Sequence, residues 1–258
     1  MKHKFIYLLV VATFAATFSA QAWGGLGHSA IAYIAEQHLT PKAKAKCRHY
    51  LNHSLAYDAS WMDHWRTVDP FRETTYWHSM KGDRDNKVID DNRGAPIHIE
   101  RICKEMRNYK KLTDEQIAIN LKLIIHMVGD MHCPSHVSYP DQNFKRPALY
   151  IKGRKLTSHS VWDSSPSYLH EGWTVIDYHK NLDNKSEKEI KQICKGTVND
   201  WAEECILKMR VTGHIFDKNE EFTTMDKQKI ENMRRLNDEQ IINASYRLAA
   251  LLNKMFKK

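Results

Sequence analysis

The chain has 258 residues, of which 42% are hydrophobic. That is enough apolar material for a buried core, and it excludes a mainly disordered chain. The formal charge is +8, but the 39 Lys and Arg are scattered, with no single basic run. A solvated basic surface that suits an anionic substrate is the reading this supports.

The first residues are set apart from the rest. Met1-Lys2-His3-Lys4 is a basic start, Phe5 to Phe18 an apolar run, and Ala20-Gln21-Ala22 a small-x-small site. This pattern predicts a secretory signal peptide over residues 1–22, since the apolar run is too short and wrongly flanked for a membrane span. The expected address is therefore periplasmic or secreted. Cleavage after Ala22 removes Lys2 and Lys4 and makes Trp23 the first residue. A free terminal amine and the carbonyl of the same residue can close a five-membered chelate on a metal; otherwise Trp23 is a surface aromatic on a ragged terminus. The five cysteines are Cys47, Cys103, Cys133, Cys194 and Cys205. Export permits disulfides, and the odd count leaves at least one thiol unpaired within the chain.

From Gly27 to Leu39 the apolar spacing is helical, with His28 at its start. Thr40-Pro41 then supplies an N-cap and a first-turn proline for a second helix reaching about Tyr50. Asp58 to Arg66 and Tyr76-Trp77-His78 follow, and Trp61, Trp65 and Trp77 predict a packed aromatic wall. Asp63, Arg66 and His78 are the polar candidates there. Lys81 to Arg93 reads as an exposed, mobile loop, and Pro96 to Lys110 as a helix. Thr113-Asp114-Glu115-Gln116 is a capping box that opens a central helix.

That helix carries the stretch Leu121 to Val137, LKLIIHMVGDMHCPSHV. Its apolar half predicts a helix buried nearly all round, into which His126 and Asp130 are placed four residues apart, on one face. Pro134 ends the helix, and His136 follows at once. A buried His and carboxylate are costly unless hydrogen-bonded, paired or bound to a metal. A lone pair of this kind is usually a hydrogen-bonded core pair, but His-x3-Asp-x5-His tilts the balance towards metal. Cys133 lies inside the stretch, where a buried free thiol is the ordinary outcome and an extra thiolate ligand the alternative. After a connector from Ser138 to Thr157 with few helical signals, His159 and Asp163 repeat the His-x3-Asp spacing. The remainder predicts helices: one opened by a capping box at Ser186 to Glu189 and running on through Met209 past Gly196, and a last one capped by Asn237. With no long alternating pattern, the expected fold class is all-α, in one domain over residues 23–258.

Trp23, His28, Asp63, His78, His126, Asp130, His136, His159 and Asp163, in this order and spacing, resemble the zinc-dependent single-strand nuclease and 3′-nucleotidase family of fungi, plants and bacteria. The pattern is a terminal Trp, His five residues on, Ala-Ser-Trp-x-Asp, His fifteen residues later, His-x3-Asp-x5-His and His-x3-Asp, matched at every ligand position. The resemblance implies a single, mainly helical domain holding three zinc ions in a cleft. It assigns one ion to Asp63, His78, His126 and Asp130. A second falls to the Trp23 amine and carbonyl, His28 and the shared Asp130, and a third to His136, His159 and Asp163. It also implies Asp63 and Arg66 as the catalytic side chains, acting on a metal-activated water, and single-stranded DNA, RNA or 3′-mononucleotides as substrates, with 5′-phosphate products. A monomer without a stable protein partner is expected.

The chain departs from the family where an aromatic, a valine and an Asp or Asn usually follow the ligand at His78. Here the residues are Ser79-Met80-Lys81, and Tyr139 to Leu156 lacks the family's Gly-Gly-Asn segment. Cys133 and Ser135 stand where Gln and Leu are common. Weak base selectivity is the expectation. Two rival readings are a zinc phospholipase C, which shares the terminal Trp and His-x3-Asp-x5-His, and an exported zinc-binding protein without catalysis. The close His28, the Ala-Ser-Trp-x-Asp run and Asp163 favour the nuclease over the first, and the intact ligand set with Arg66 over the second.

Overall fold

A computed structural model describes residues 23–89, 91–140, 148–212, 215 and 219–257; the proposed signal peptide lies outside them. Eleven α-helices are found among the described residues. They are α1 (Gly24–Gln37), α2 (Pro41–Leu51), α3 (Leu55–Asp58), α4 (Trp61–Trp65), α5 (Ala95–Met106), α6 (Asp114–His132), α7 (Ser158–Leu169), α8 (Val175–Leu182), α9 (Glu187–Ile193), α10 (Val198–Thr212) and α11 (Lys227–Met255). Only short strands accompany them, so the fold is mainly helical, as its pattern predicts. No described helix is long and apolar enough to cross a membrane.

The centre of the fold is α6. Its first turn is closed by the reciprocal bonds of a capping box, Gln116 N–H to Thr113 Oγ1 and Thr113 N–H to Gln116 Oε1. Every residue from Leu123 to His132 is buried. Helices α1, α2, α5 and α11 all pack against it, which is what a helix apolar on all sides requires. Pro134 follows the last turn and opens a 3-10 turn, Pro134–His136. Strand β1 (Met80–Lys81) pairs in parallel with β2 (Val137–Ser138), Met80 opposite Val137. This two-residue ladder ties the chain just after His78 to the chain just after His136.

Several helix boundaries differ from the sequence expectation. The last helix starts not at Asn237 but at Lys227, with the Asp226 side chain accepting from the backbone N–H groups of Gln228 and Lys229. Asn237 sits fully buried within the helix, accepting from Ser165 Oγ at 2.8 Å. An Asn before an apolar run reads as a cap, and only a partner from α7 makes it an interior residue. The helix expected to run on past Gly196 breaks there. Gly196 has φ +97°, and Thr197 Oγ1 accepts from Asp200 N–H at 3.2 Å to begin α10. A left-handed glycine at a helix end stops the helix it follows. The connector after Ser138 carries a hairpin, β3 (Leu149–Ile151) against β4 (Arg154–Leu156), turned by Lys152 and Gly153, both at positive φ. A fifth strand, β5 (Glu220–Glu221), joins β3 in parallel. Helix α5 ends at Met106, short of Lys110. The Lys81–Arg93 loop is tethered, by Lys81 to Asp91 at 2.6 Å and by Arg210 to Asn86 at 2.7 Å. Of the three expected wall tryptophans, Trp77 is buried but Trp65 is 43% exposed.

A buried cation braces the back of α6. Arg247 on α11 donates to His132 Nε2 at 2.9 Å and to the Ile193 carbonyl at 3.0 Å, pairs with Glu204, and lies 5.3 Å from the Trp201 ring centroid. His132 donates through Nδ1 to the Val128 carbonyl, so its Nε2 is the acceptor Arg247 needs. Burial and the Arg247 charge together push His132 down to about 3. Removing the guanidinium leaves His132 Nε2 and the Ile193 carbonyl without their donor, so Arg247→Ala should destabilise the fold by on the order of 3 kcal/mol. Arg247→Lys should recover only part of this, because an ammonium lacks the fork. Denaturant midpoints of the two variants check both expectations.

Candidate metal centre

The buried end of α6 holds a carboxylate that has no ordinary reason to be there. Asp130 is fully buried, and neither of its oxygens has a hydrogen-bond partner. Four imidazoles surround it instead. His78 Nδ1 is 2.8 Å and His126 Nε2 3.2 Å from Oδ2, while His28 Nε2 is 3.3 Å and His136 Nδ1 3.7 Å from Oδ1. Each comes from a different stretch: His28 from the second turn of α1, His78 from just before β1, His126 from α6 itself and His136 from the 3-10 turn. Asp63, on α4, completes the set, with Oδ1 3.7 Å from both His78 Nδ1 and His126 Nε2.

Backbone partners decide which ring nitrogens bear lone pairs. His126 Nδ1 donates to the Ala59 carbonyl at 2.8 Å. In the neutral ring Nε2 is then a lone pair, and it faces the acceptor oxygens of Asp130 and Asp63. His136 Nδ1 donates to the His78 carbonyl, leaving Nε2 buried and without a partner. Lone pairs that face lone pairs in a dry interior repel unless a proton or a metal ion lies between them. Burial pushes His28 and His136 towards the neutral form, whereas His126 and Asp130 shift in the direction that demands positive charge. Burial opposes charge on His126, yet Asp130 and Asp63 outweigh it and lift the ring to about 9. Burial would raise Asp130, but His126, His136 and His78 hold it well below the usual carboxylate range.

A second focus lies at Asp163. Burial pushes its carboxyl up to about 8, against the Ser135 hydroxyl that donates to Oδ1 at 2.8 Å. His159 Nε2 stands 3.2 Å from Oδ2, and His136 Nε2 3.9 Å from Oδ1. The His136 and His159 rings stack with centroids 4.9 Å apart. His159 is 39% exposed at its side chain, so this focus opens towards solvent while the Asp130 focus is sealed. His126 belongs to two groups whose ligand atoms lie within 4.8 Å of one another, His28 with Asp130 and Asp63 with His78. Such donor sets, imidazole nitrogen and carboxylate oxygen, suit zinc.

Trp23 is held against both foci. Its indole is fully buried and Nε1 donates to the Gly129 carbonyl at 2.8 Å, next to Asp130. It is not a surface aromatic. Its carbonyl accepts from Gly27 N–H at 3.0 Å, which leaves one lone pair over. A Cβ placed on the following residue, Gly24, would meet the Asp163 carbonyl oxygen at 3.0 Å. Arg66 Nη1 lies 3.7 Å from Asp63 Oδ1, one helical turn away as the spacing implies.

All nine sequence-predicted ligand positions therefore lie together, and Arg66 joins them. Three supporting groups carry no clear mark in the motif pattern: Gly129, Ser135 and the Ala59 carbonyl. Gly129 is the most legible of them. A glycine inside a helix costs about 1 kcal/mol relative to alanine, so it marks a close approach. Here a Cβ would meet His28 Nδ1 at 2.7 Å. The departure at Ser79-Met80-Lys81 is absorbed by structure: Met80 is buried in the β1–β2 ladder and Ser79 accepts from Ala95 N–H at 2.9 Å. Of the Tyr139–Leu156 departure, residues 141–147 lie outside the described residues.

The chain is also similar in sequence to known proteins. The chain is 27% identical over 173 residues to "Nuclease P1" of Penicillium citrinum, covering 60% of this chain and 62% of that protein. To "Nuclease S1" of Aspergillus oryzae it is 25% identical over 170 residues, covering 60% and 58% respectively. To "Endonuclease 2" of Arabidopsis thaliana it is 27% identical over 219 residues, covering 78% and 73%. The two fungal matches thus span about three fifths of those proteins' lengths. Residues 23–257, which contain every expected ligand position, match the family described as S1/P1 Nuclease, and the chain belongs to that family.

Proposed function

We propose that this chain is an exported zinc-dependent phosphodiesterase that hydrolyses single-stranded DNA or RNA, and 3′-mononucleotides, to products with 5′-phosphates. The observation that carries the reading is the sealed cluster around Asp130, where imidazole nitrogens converge on the buried oxygens of Asp130 and Asp63, none of which has a hydrogen-bond partner. One ion belongs to Asp63, His78, His126 and Asp130. A second belongs to His28, Asp130 and the Trp23 amine and carbonyl once cleavage after Ala22 frees that amine. A third belongs to His136, His159 and Asp163. The enzyme works as a monomer, in one domain over residues 23–258, in the periplasm or outside the cell.

Bound zinc supplies the Lewis-acid chemistry, lowering the pKa of a coordinated water to about 7 and polarising phosphoryl oxygens. The side chains do the rest. Asp63 has an oxygen in reach of His78, His126 and Arg66, so it orients the attacking water and accepts its proton. Arg66, 23% exposed at its side chain, offers a fixed fork of donors to the equatorial oxygens as their charge grows in the transition state. Trp65, beside Arg66 and stacked with Trp61 at 6.0 Å between centroids, offers a face to an unstacked base. Such stacking is worth about 1–3 kcal/mol per base and tolerates any sequence. A duplex keeps its bases inside and gains nothing from it.

Hydrolysis of single-stranded DNA and RNA by protein beginning at Trp23 should be lost with chelator and should fall when one residue is added before Trp23. Choline-phospholipid hydrolysis without nucleic-acid cleavage would transfer the chain to a phospholipase reading, and full zinc occupancy without any turnover to a binding protein. Arg66→Ala should lower kcat by about 10²–10³ with metal content unchanged by elemental analysis; equal loss of both would remove Arg66 from the chemistry. Gly129→Ala, which drives a methyl into His28, should weaken metal binding by roughly 10–100-fold in chelator competition, without unfolding the chain.

A further inference from the structure

Cys133 follows the last residue of α6 and is fully buried. Its Sγ lies 3.0 Å from Ser135 Oγ and 3.9 Å from Asp163 Oδ1. Sγ, a ring nitrogen of His136 and a carboxylate oxygen of Asp163 all fall within 4.8 Å of one another. A buried thiol alone is an ordinary core residue. In the two residues grouped with it, each 4% exposed, one buried polar atom apiece has no hydrogen-bond partner, His136 Nε2 and Asp163 Oδ2. Tetrahedral zinc with a Zn–S bond of about 2.3 Å and Zn–O or Zn–N bonds of about 2.0–2.2 Å has sulfur-to-oxygen edges of about 3.6 Å. The observed 3.9 Å closes to that with a shift of a few tenths of an ångström.

We propose that Cys133 binds, as a thiolate, the ion held by His136, His159 and Asp163. The inference rests on the metal reading above and adds a ligand to it. As the sulfur–metal bond forms, the thiol releases its proton to solvent. The soft sulfur replaces a water as fourth ligand, so this ion gains a filled tetrahedral shell while the other positions keep exchangeable ones. Ser135 supports the arrangement, because its hydroxyl donates to Asp163 Oδ1 at 2.8 Å and holds the carboxylate beside the sulfur.

The test is the near-ultraviolet spectrum of the cobalt(II)-substituted protein, in which a sulfur-to-cobalt charge-transfer band reports a Co–S bond. The band should be present in the wild type, absent in Cys133→Ser at equal cobalt content, and kept in Cys205→Ser, whose thiol contacts Gln240 instead. A band that survives Cys133→Ser, or a cobalt-loaded wild type without one, overturns the proposal. A second measurement needs no variant. In the zinc-loaded wild type Cys133 should resist alkylation, and chelation should expose it to labelling, located by mass spectrometry. Equal protection with and without zinc would mark it as a core thiol and overturn the proposal. Metal bound without the sulfur band, in an active nuclease, defeats this inference alone; a chain that binds no cobalt defeats the metal reading as well.

Discussion

The structure depends on one constraint: a carboxylate, Asp130, buried without hydrogen bonds inside a ring of four imidazoles. In water such a group costs nothing, and in a dry interior it costs several kcal/mol unless positive charge meets it. The chain brings that charge-binding capacity from four separate stretches, and most of the architecture can be understood as the means of holding them. Helix α6 supplies the floor, α1 lays His28 against Gly129, and α4 brings Asp63. The β1–β2 ladder fixes His78 and His136 in register.

The same logic explains the polar groups outside the cluster. The Ala59 carbonyl and the His78 carbonyl each take one imidazole N–H, which turns the opposite nitrogen inward as a lone pair. Ser135 does the equivalent for Asp163. On the far side of α6, Arg247 satisfies His132 and keeps a neutral ring at the helix end. These hydrogen bonds fix the ring orientations of the groups that could hold a metal ion.

The departures from the family pattern fall outside the cluster of histidines and carboxylates proposed to hold metal. Ser79, Met80 and Lys81 are spent on strand pairing, a backbone contact and an ion pair with Asp91. One exposed aromatic surface lies at Trp65, next to Arg66, with Phe71 edge-on to it at 6.4 Å. Flat aromatic faces bind bases through stacking, which discriminates little among them.

What the amino-acid sequence determined by itself was where the paired histidines and carboxylates of the central helix fall. Local rules suffice for that: His-x3-Asp puts both side chains on one helical face, an apolar run buries that face, and proline ends the helix before His136, whereas the ligand set as a whole is what the family resemblance implies. The Thr113 and Ser186 capping boxes were legible for the same reason, since each joins groups three residues apart. Tertiary structure decided everything that needed a distant partner. Asn237 became a buried helix residue because Ser165 of α7 reaches it, and Trp65 stayed exposed because no other element covers it fully. The tautomers of His126 and His136 follow from carbonyls 67 and 58 residues away in the chain. Cys133 acquired its neighbours only when α7 carried Asp163 beside it, a contact that spacing along the chain does not encode.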